Sequence, residues 1–307
     1  MSSLESAAEV QPTARITDEP RVRSVSPGRR TVKRFFSHRL AMIGAIILVF
    51  MTICAILAPL LAPYDPNAID LRKISQSPSW DHWFGTDKVG RDILSRVLYG
   101  ARVSLSVGVV AVSIYLTIGF LLGAIAGYVG GFVDSLIMRF TDIMMCFPTF
   151  VLILILVGIT GPNIFNIMLI IGLFGWPGIA RLVRGQVLQL RELDYVLAAR
   201  ALGGTNRYVM LKHILPNVIG PLTVAGSLGI AGAILAEAGL SFLGLGVVAP
   251  MASWGAMLSD ARNPSTMATQ PWLWITPGLL ISLAVLSANF IGDGLRDAFD
   301  VKSRLRR

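Results

Sequence analysis

The chain has 307 residues, of which 54% are hydrophobic and only 15% are charged. Its mean hydropathy of +0.66 is too high for an ordinary soluble domain and indicates an integral membrane protein. The formal net charge of +9 could suit a nucleic-acid-binding protein, but the basic residues are gathered in segments between apolar runs. We therefore expect a membrane protein that has no nucleic-acid partner.

The N-terminal residues 1–38 are polar and rich in Ser, Pro and Arg, and they contain no apolar core like that of a signal peptide. This composition predicts a mostly disordered, basic, cytoplasmic tail. A first transmembrane helix is predicted over residues 39–63, and an extracytoplasmic segment over residues 64–102.

Charge-free apolar windows predict six transmembrane helices, because about 20 apolar residues cross the hydrocarbon core of a bilayer. Two of the six share one long window that a Gly-Pro-Asn turn at 161–163 divides. The windows in chain order are Ile43–Pro63, Val103–Val133, the divided Ile143–Ala180, Ile214–Ala236 and Asn263–Gly292. Residues 103–293 are thus predicted as a five-helix core with a cytoplasmic loop at 181–216, and residues 294–307 as a C-terminal tail.

The basic residues also predict the orientation of the chain. If the N-terminus is cytoplasmic, 20 of the 27 Lys and Arg residues fall on the cytoplasmic side, as the positive-inside rule requires. In the predicted outer segment, six basic residues face five acidic ones. We therefore expect a multi-pass membrane protein with both termini in the cytoplasm.

Residues for membrane-embedded enzymatic chemistry are missing from the predicted spans. His38, His82 and His213 all fall outside them, which leaves no base for an intramembrane nucleophile and no metal-ligand set. The run Gly85–Asp92 has the glycine spacing of a phosphate-binding loop, but Arg91 and Asp92 replace the required Lys and Ser or Thr. The sequence predicts neither an enzyme nor a chain that itself binds ATP, a cofactor or a metal.

One acidic residue, Glu237, follows the apolar window Ile214–Ala236 directly and lies late in the fifth predicted span, which extends to about residue 240. A charge at mid-bilayer costs about 2.5–3.5 kcal/mol and usually faces a partner or a cavity. The sequence leaves two interpretations of Glu237 open: a hydrogen-bonded acid that holds helices together, or a group on the path of a transported substrate.

The polar stretch at 193–217 interrupts the apolar spans and predicts a small folded unit. Asp194 is expected to cap a first helix, Gly203-Gly204 to end it, and Thr205 to cap a second helix that Pro216 ends. The first helix has an apolar face at i, i+3, i+4 and i+7, formed by Tyr195, Ala198, Ala199 and Leu202. The sequence therefore predicts two short helices at about a right angle on the cytoplasmic surface.

The alternative for this unit is an amphipathic helix that lies on lipid. Its apolar face is largely alanine, which is a weak lipid anchor but allows a helix backbone to approach a partner closely. We therefore favour a groove in another protein as its binding partner.

The same stretch resembles the "EAA" loop of permease subunits of bacterial ABC importers, in which a Glu-Ala-Ala triplet is followed by Gly and later by Ile-x-Leu-Pro. Here Leu197-Ala198-Ala199 matches the triplet, Gly203 the glycine, His213 the isoleucine, and Leu215-Pro216 the end. Leucine thus replaces glutamate and histidine replaces isoleucine. Leu197 carries no charge for a salt bridge at the glutamate position, whereas "HILPN" is typical of the peptide-importer branch.

Other segments are similar to the C-type permease of the dipeptide, oligopeptide and nickel importers, over roughly residues 33–301. These are the runs Phe84–Asp92, Glu237–Gly246, Ser253–Gly255 and Gly292–Asp297. The first supplies an extracytoplasmic family motif made of Gly85, Thr86, Asp87, Gly90, Arg91 and Asp92.

The resemblance implies an all-α membrane protein of six transmembrane helices, with the MetI-like fold of type I ABC importer permeases and a cytoplasmic coupling helix. The expected coupling residues are Tyr195, Leu197, Ala198, Ala199, Arg200, Leu202, Gly203, Leu215 and Pro216. The implied partners are a B-type permease, two ATPase subunits that use ATP and Mg, an extracytoplasmic solute-binding protein and membrane lipid.

Peptides are the first expectation for the cargo of such a permease, and nickel chelates, glutathione or small glycosides are the alternatives. A secondary transporter or channel is the rival from another class. Such a protein would show inverted repeats and polar residues at the membrane midplane, and this sequence shows neither clearly.

Overall fold

The computed structural model describes residues 27–299, which form fourteen α-helices and one short π-helix. Within that range the backbone pairing outside helices is a single isolated bridge between Thr86 and Asp92. The prediction of an all-helical membrane protein is confirmed.

Five helical stretches are long and apolar enough to cross a membrane, and a bent pair of helices provides a sixth. The straight spans are α2 (Arg39–Ile56), α4 (Ile93–Val129), α7 (Ile164–Phe174) with α8 (Trp176–Arg191), α11 (Leu215–Phe242) and α14 (Trp272–Phe299). The bent pair consists of α5 (Gly131–Met145) and α6 (Thr149–Thr160), whose axes differ by 78°. The six predicted spans therefore correspond to five straight spans and one broken span.

The shorter helices lie at the two ends of this bundle. They are α1 (Pro27–Ser37), α3 (Ala58–Leu61), α9 (Asp194–Ala201), α10 (Asn206–Val209), α12 (Trp254–Asp260) and α13 (Pro264–Thr269), with a π-helical turn at Met210–Ile214. Because successive spans alternate in direction, α1 and α9 share one end, here named the α9 end. The opposite end, which holds α3, α12 and α13, is named the α12 end.

The terminal boundaries differ from the prediction of a mostly disordered tail over residues 1–38. Pro27–Ser37 forms α1, because Phe35 packs against the α14 backbone at Gly294. Residues 294–299 likewise belong to α14 and not to a separate tail. The remaining predicted tail residues, 1–26 and 300–307, lie outside the described residues.

The predicted extracytoplasmic segment 64–102 ends earlier than expected, because α4 begins at Ile93. The Asp92 carboxylate caps this helix by accepting a hydrogen bond from the Ser95 N–H at 2.8 Å. Residues 93–102 are therefore the first turns of the second span.

The third span also begins earlier than its charge-free window suggested. α5 starts at Gly131 and carries acidic residues that pair with α8: Arg184 Nη2 lies 2.6 Å from Asp134, and Arg181 Nη2 lies 2.7 Å from Asp142. α8 itself continues to Arg191, so the first third of the predicted loop at 181–216 is helical. Paired charges at a helix end are compatible with a span, and a search for charge-free windows excludes them.

Small residues on α4 bring α4 and α8 close together. A Cβ atom on Gly119 would lie 2.6 Å from Ile179 Cβ, and one on Gly127 would lie 2.9 Å from Val187 Cβ. The backbone of α4 at these glycines therefore contacts side chains of α8, and this contact sets the distance between the two helices.

Candidate coupling site and outer motif

The helix α9 begins differently from the prediction. Leu193 occupies the N-cap position, and its side chain makes no capping hydrogen bond. Asp194 is the first helical residue and does not cap the helix, although an acid in the first turn still interacts favourably with the helix dipole.

The end of α9 matches the expected glycine stop in detail. Gly203 has φ +86°, its N–H donates to the Arg200 carbonyl at 2.9 Å, and the Gly204 N–H donates to the Ala199 carbonyl at 3.0 Å. These two bonds make a Schellman motif, which satisfies the last carbonyls of the helix. A Cβ atom on Gly204 would lie 2.6 Å from the Ala199 oxygen, so this position also requires glycine.

The apolar face that was predicted to meet a partner is largely exposed, and α9 packs against the bundle through other side chains. Val196 is fully buried and Ala199 is half-buried, whereas Tyr195 and Ala198 are exposed and Leu202 is 89% exposed. The remaining predicted coupling residues of the helix, Leu197 and Arg200, are exposed as well. Val196 was not among the predicted residues, although it lies three residues before Ala199.

Val196 anchors α9 by packing against the α9 end of the bundle. It belongs to an apolar cluster to which α4, α8, the π-helical turn and α11 all contribute. The other fully or nearly fully buried members of that cluster are Ala124, Val183, Val187, Val209, Ile214 and Val218. One side of α9 is thus packed against the bundle through Val196, and the opposite side is exposed.

Polar and aromatic contacts add to this anchor. The Tyr128 hydroxyl of α4 donates to Asn206 at 2.9 Å, and the Arg200 guanidinium lies 5.4 Å from the Tyr128 ring centre. Asn217 of α11 donates from Nδ2 to the Tyr195 hydroxyl of α9 at 3.4 Å. The exposed helix is therefore tied to α4 directly and adjoins the start of α11.

The predicted second short helix does not end at Pro216. Thr205 caps α10 as predicted, since its hydroxyl accepts from the Tyr208 N–H at 3.3 Å, but the chain then continues through the π-helical turn into α11. The Leu215 N–H bonds to the Met210 carbonyl, five residues back. Pro216 lies in the first turn of α11, where its missing N–H costs least, and the wider π-turn accommodates its ring. Leu215 is half-buried and Pro216 is exposed.

At the α12 end, the run Gly85–Asp92 folds around a carboxylate. Gly85 and Gly90 have φ of +75° and +82°, which turns the chain so that backbone amides point inward. Asp87 accepts from the N–H groups of Val89 and Arg91 at 3.0 and 2.9 Å, and from Arg91 Nε at 2.6 Å. The amides that a phosphate-binding loop would offer to a phosphate are therefore occupied by a side chain of the loop itself.

Asp92 joins this loop to a histidine that the sequence analysis did not select. His82 is buried, and its Nδ1 lies 2.9 Å from Asp92 Oδ1, while Lys73 Nζ lies 3.2 Å from Nε2. Thr86, which is fully buried, holds the loop to the preceding segment by accepting from the Gln76 N–H at 2.8 Å. All these partners sit on irregular backbone, so no sequence period would have indicated them.

Glu237 is fully buried and hydrogen-bonded. Ser104 of α4 donates to its Oε2 at 3.0 Å, and Ser241 donates to its Oε1 at 2.7 Å. The Ser104 hydroxyl also accepts from the Trp254 N–H at 3.2 Å, at the start of α12. Of the two interpretations of Glu237, this geometry favours the acid that holds helices together.

α12 bridges the Glu237 network and the folded motif. Its first residue, Trp254, is fully buried and donates from Nε1 to the Val97 carbonyl of α4 at 3.2 Å. Its last residue, Asp260, lies 2.8 Å from Lys88 Nζ and 3.9 Å from Arg91 Nη2. Segments that are far apart in sequence, around 85–92, 237–241 and 253–260, thus form one connected structure.

Comparison with known families gives two matches along the chain. Residues 119–305 match the binding-protein-dependent transport system inner membrane component, and residues 26–78 match the N-terminal transmembrane domain of oligopeptide transport permease C. The first match alone covers more than half of the chain, and it corresponds to the MetI-like fold.

Several curated relatives are similar over nearly their whole length. The dipeptide transport system permease protein DppC of Alkalihalophilus pseudofirmus is 45% identical over 286 residues, which is 93% of each chain. The oligopeptide transport system permease protein OppC of Haemophilus influenzae is 46% identical over 274 residues, covering 89% of this chain and 88% of the relative. OppC of Bacillus subtilis is 42% identical over 282 residues, or 92% of each. The protein therefore belongs to the inner-membrane permease components of binding-protein-dependent transport systems.

Proposed function

We propose that this chain is the C-type permease subunit of an ATP-driven importer of peptides. The names of the DppC and OppC relatives support dipeptides or oligopeptides as cargo. Nickel chelates, glutathione and small glycosides are the rival cargoes, because the extracytoplasmic binding protein largely selects what the permease receives. The test is to purify that binding protein and to identify its bound ligand by mass spectrometry. A nickel complex or a sugar in place of a peptide would overturn the cargo assignment.

The partners we propose are a B-type permease, two ATPase subunits and an extracytoplasmic binding protein. ATP and Mg would act in the ATPases and not in this chain, because the amides of its one loop with P-loop-like glycine spacing, Gly85–Asp92, are filled by Asp87. Under this proposal the chain has no catalytic residues of its own.

The observation that carries the coupling role is the asymmetric burial of α9. The Val196 side chain is buried against the α9 end of the bundle, whereas the side chains of Tyr195, Leu197 and Leu202 are 44%, 44% and 89% exposed. Large exposed apolar side chains on a firmly seated helix are typical of a surface that another protein covers. We assign this surface to a groove of the ATPase subunit.

Transport would follow from a difference in affinity. Closure of the ATPases on ATP can shift the bundle between inward- and outward-facing states only if α9 binds them more tightly in one state. Because α9 adjoins α8, α10 and the start of α11, a displacement of α9 would move these elements together.

The decisive experiment reconstitutes the complete transporter in proteoliposomes and measures ATP-dependent uptake. Leu202→Gln removes the most exposed apolar side chain of α9 and should abolish most uptake while insertion stays normal. Leu211→Gln is a matched control, since Leu211 is 62% exposed on the adjacent π-helical turn. Wild-type uptake by Leu202→Gln, or uptake by this chain alone without ATP, would overturn the proposal. The second outcome would favour a secondary transporter or channel.

We also propose that both termini and α9 are cytoplasmic. The charge distribution supports this, because 20 of 27 basic residues then lie on the cytoplasmic side. The variants Ser37→Cys and Trp83→Cys, each in a background without Cys54 and Cys146, would test it with a membrane-impermeant maleimide on intact cells. The proposed orientation predicts labelling of the cysteine at position 83 and protection of the one at position 37. The opposite result would show that the chain has the reverse orientation.

A further inference from the structure

The helix α1 is a basic element that the coupling role does not use. Its sequence, PGRRTVKRFFS, contains four basic residues and no acidic one. The nearest acidic residues along the chain are Glu19 and Asp65, on either side of α1 and the first span. This part of the chain therefore has an excess of positive charge.

One face of α1 presents apolar side chains to the surroundings of the bundle. Val32 and Phe36 are 56% and 62% exposed, and their spacing of four residues places them on the same face. Phe35, by contrast, is half-buried where α1 meets Gly294 of α14. The helix is thus seated on the bundle by one apolar residue and exposes two others.

The position of α1 is fixed at the start of the first span. His38 alone separates α1 from α2, and its extended backbone, with φ −85° and ψ 104°, breaks the helix there. Its Nδ1 accepts from the Ala41 N–H at 3.1 Å, and its Nε2 lies 3.4 Å from Asp297 of α14. The lipid-facing side of α2 begins at once, since Leu40 is 50% exposed.

These features point to one surface that could cover the exposed face of α1. At the level where a span begins, exposed apolar side chains reach the acyl boundary and neighbouring basic groups reach the headgroups. A helix with excess Lys and Arg is complementary in charge to anionic phospholipids. We propose that α1 is an interfacial helix that binds anionic phospholipid headgroups and fixes the entry of α2 into the membrane. This inference rests on the chain being a membrane permease and not on the role of α9.

The test places a fluorescent reporter on the exposed face. Val32→Cys, labelled with bimane in a background without Cys54 and Cys146, is reconstituted as the full chain in nanodiscs. One set contains phosphatidylcholine alone, and the other contains an equimolar mixture with phosphatidylglycerol. The emission should shift to the blue in the anionic nanodiscs, and added salt should reverse the shift because it screens exposed charges.

Charge variants make the test specific. Each basic group near an anionic surface contributes about fivefold to the binding constant, so Lys33→Gln should lower the ratio of bound to unbound α1 by about that factor, and Lys33→Arg should restore it. Arg72→Gln, which changes an exposed cation in the loop at the α12 end, should leave the emission unchanged. Restoration by Lys33→Arg separates loss of charge from loss of the helix.

Three results would overturn the proposal. The first is an equal emission in both lipid mixtures, and the second is a loss that Lys33→Arg does not restore. The third is a blue shift that requires the partner subunits and ignores phosphatidylglycerol, because the face would then be covered by protein. None of these results bears on ATP-dependent uptake, so a failure here is distinguishable from a failure of the coupling role.

Discussion

The glycine at the end of α9 allows a test of whether the fixed geometry of this helix matters for transport. Gly203 has φ +86°, and a Cβ atom there would have nothing within 4 Å. A substitution therefore adds backbone strain but no collision. For an L-residue in the left-handed region this strain is about 1–2 kcal/mol, and it is smaller for Asn. Such a cost lowers the population of the native helix end by about five- to thirtyfold.

We expect a graded series at this position. Gly203→Asn should retain most ATP-dependent uptake, Gly203→Ala should lose part of it, and Gly203→Val should lose nearly all of it because a β-branched residue tolerates positive φ least. Amide hydrogen exchange of α9 should rise in the same order. Insertion and assembly should stay normal, since the strain is confined to the Schellman motif.

Gly232 supplies a matched control. A Cβ atom at this position would also have nothing within 4 Å, but Gly232 lies inside α11 and is not among the glycines with positive φ. Gly232→Ala should therefore be neutral or stabilising by about 0.5–1 kcal/mol. Equal uptake by all three Gly203 variants, or an Asn variant as poor as the Val variant, would refute the argument that the conformation of this turn is required.

Substitutions at three further positions, each with its control, test other parts of the structure. Glu237→Gln keeps hydrogen-bonding atoms and should be tolerated. Glu237→Leu loses the hydrogen bond from Ser104 between two helices, worth about 0.6–1.7 kcal/mol, and leaves the serine hydroxyls without their partner. A double-mutant cycle with Ser104→Ala, measured by unfolding in detergent, gives the coupling energy of the two residues, and a coupling of zero would contradict this hydrogen bond. Val196→Ala should weaken the packing of α9 on the bundle by about 2 kcal/mol. The amides of α9 should then exchange hydrogen faster than in the control variant Ala198→Ser, whose substitution lies on the exposed face of the helix. Gly123→Leu should block assembly of the bundle because it would meet the Ala180 backbone, whereas Gly158→Leu, which has open space, should not.

Much of the fold could be predicted because lipid-spanning helices have a strong sequence signal. The errors lie where charge is satisfied by packing. Asp134 and Asp142 ended an apolar window, yet both are paired with arginines of α8 inside a continuous helical segment. Likewise, Pro216 was expected to end a helix, and a π-helical turn just before it lets the helix continue. Ion pairs and π-turns depend on neighbours that a local window does not contain.

The candidate site shows a similar division. Gly203 and Thr205 act locally, and both were predicted correctly. The packing of α9 on the bundle was not predicted, because Val196 is one valine among many and only its cluster with five other elements makes it the anchor. His82 and Asp260 were missed for the same reason: their partners come from segments distant in the chain or from irregular backbone.

α11 connects the two ends of the molecule. It starts directly after the π-helical turn that follows α9 and α10, and it carries Glu237 and Ser241 near its other end. Its 28 residues span about 42 Å at 1.5 Å per residue. If the proposed ATPase subunits rotate its start, the movement would reach the hydrogen-bond network that holds α12 through a single helix, without a chain of separate contacts. The buried carboxylate is hydrogen-bonded on α4 and α11 and is linked through Ser104 to α12, so it ties these three helices together at the α12 end.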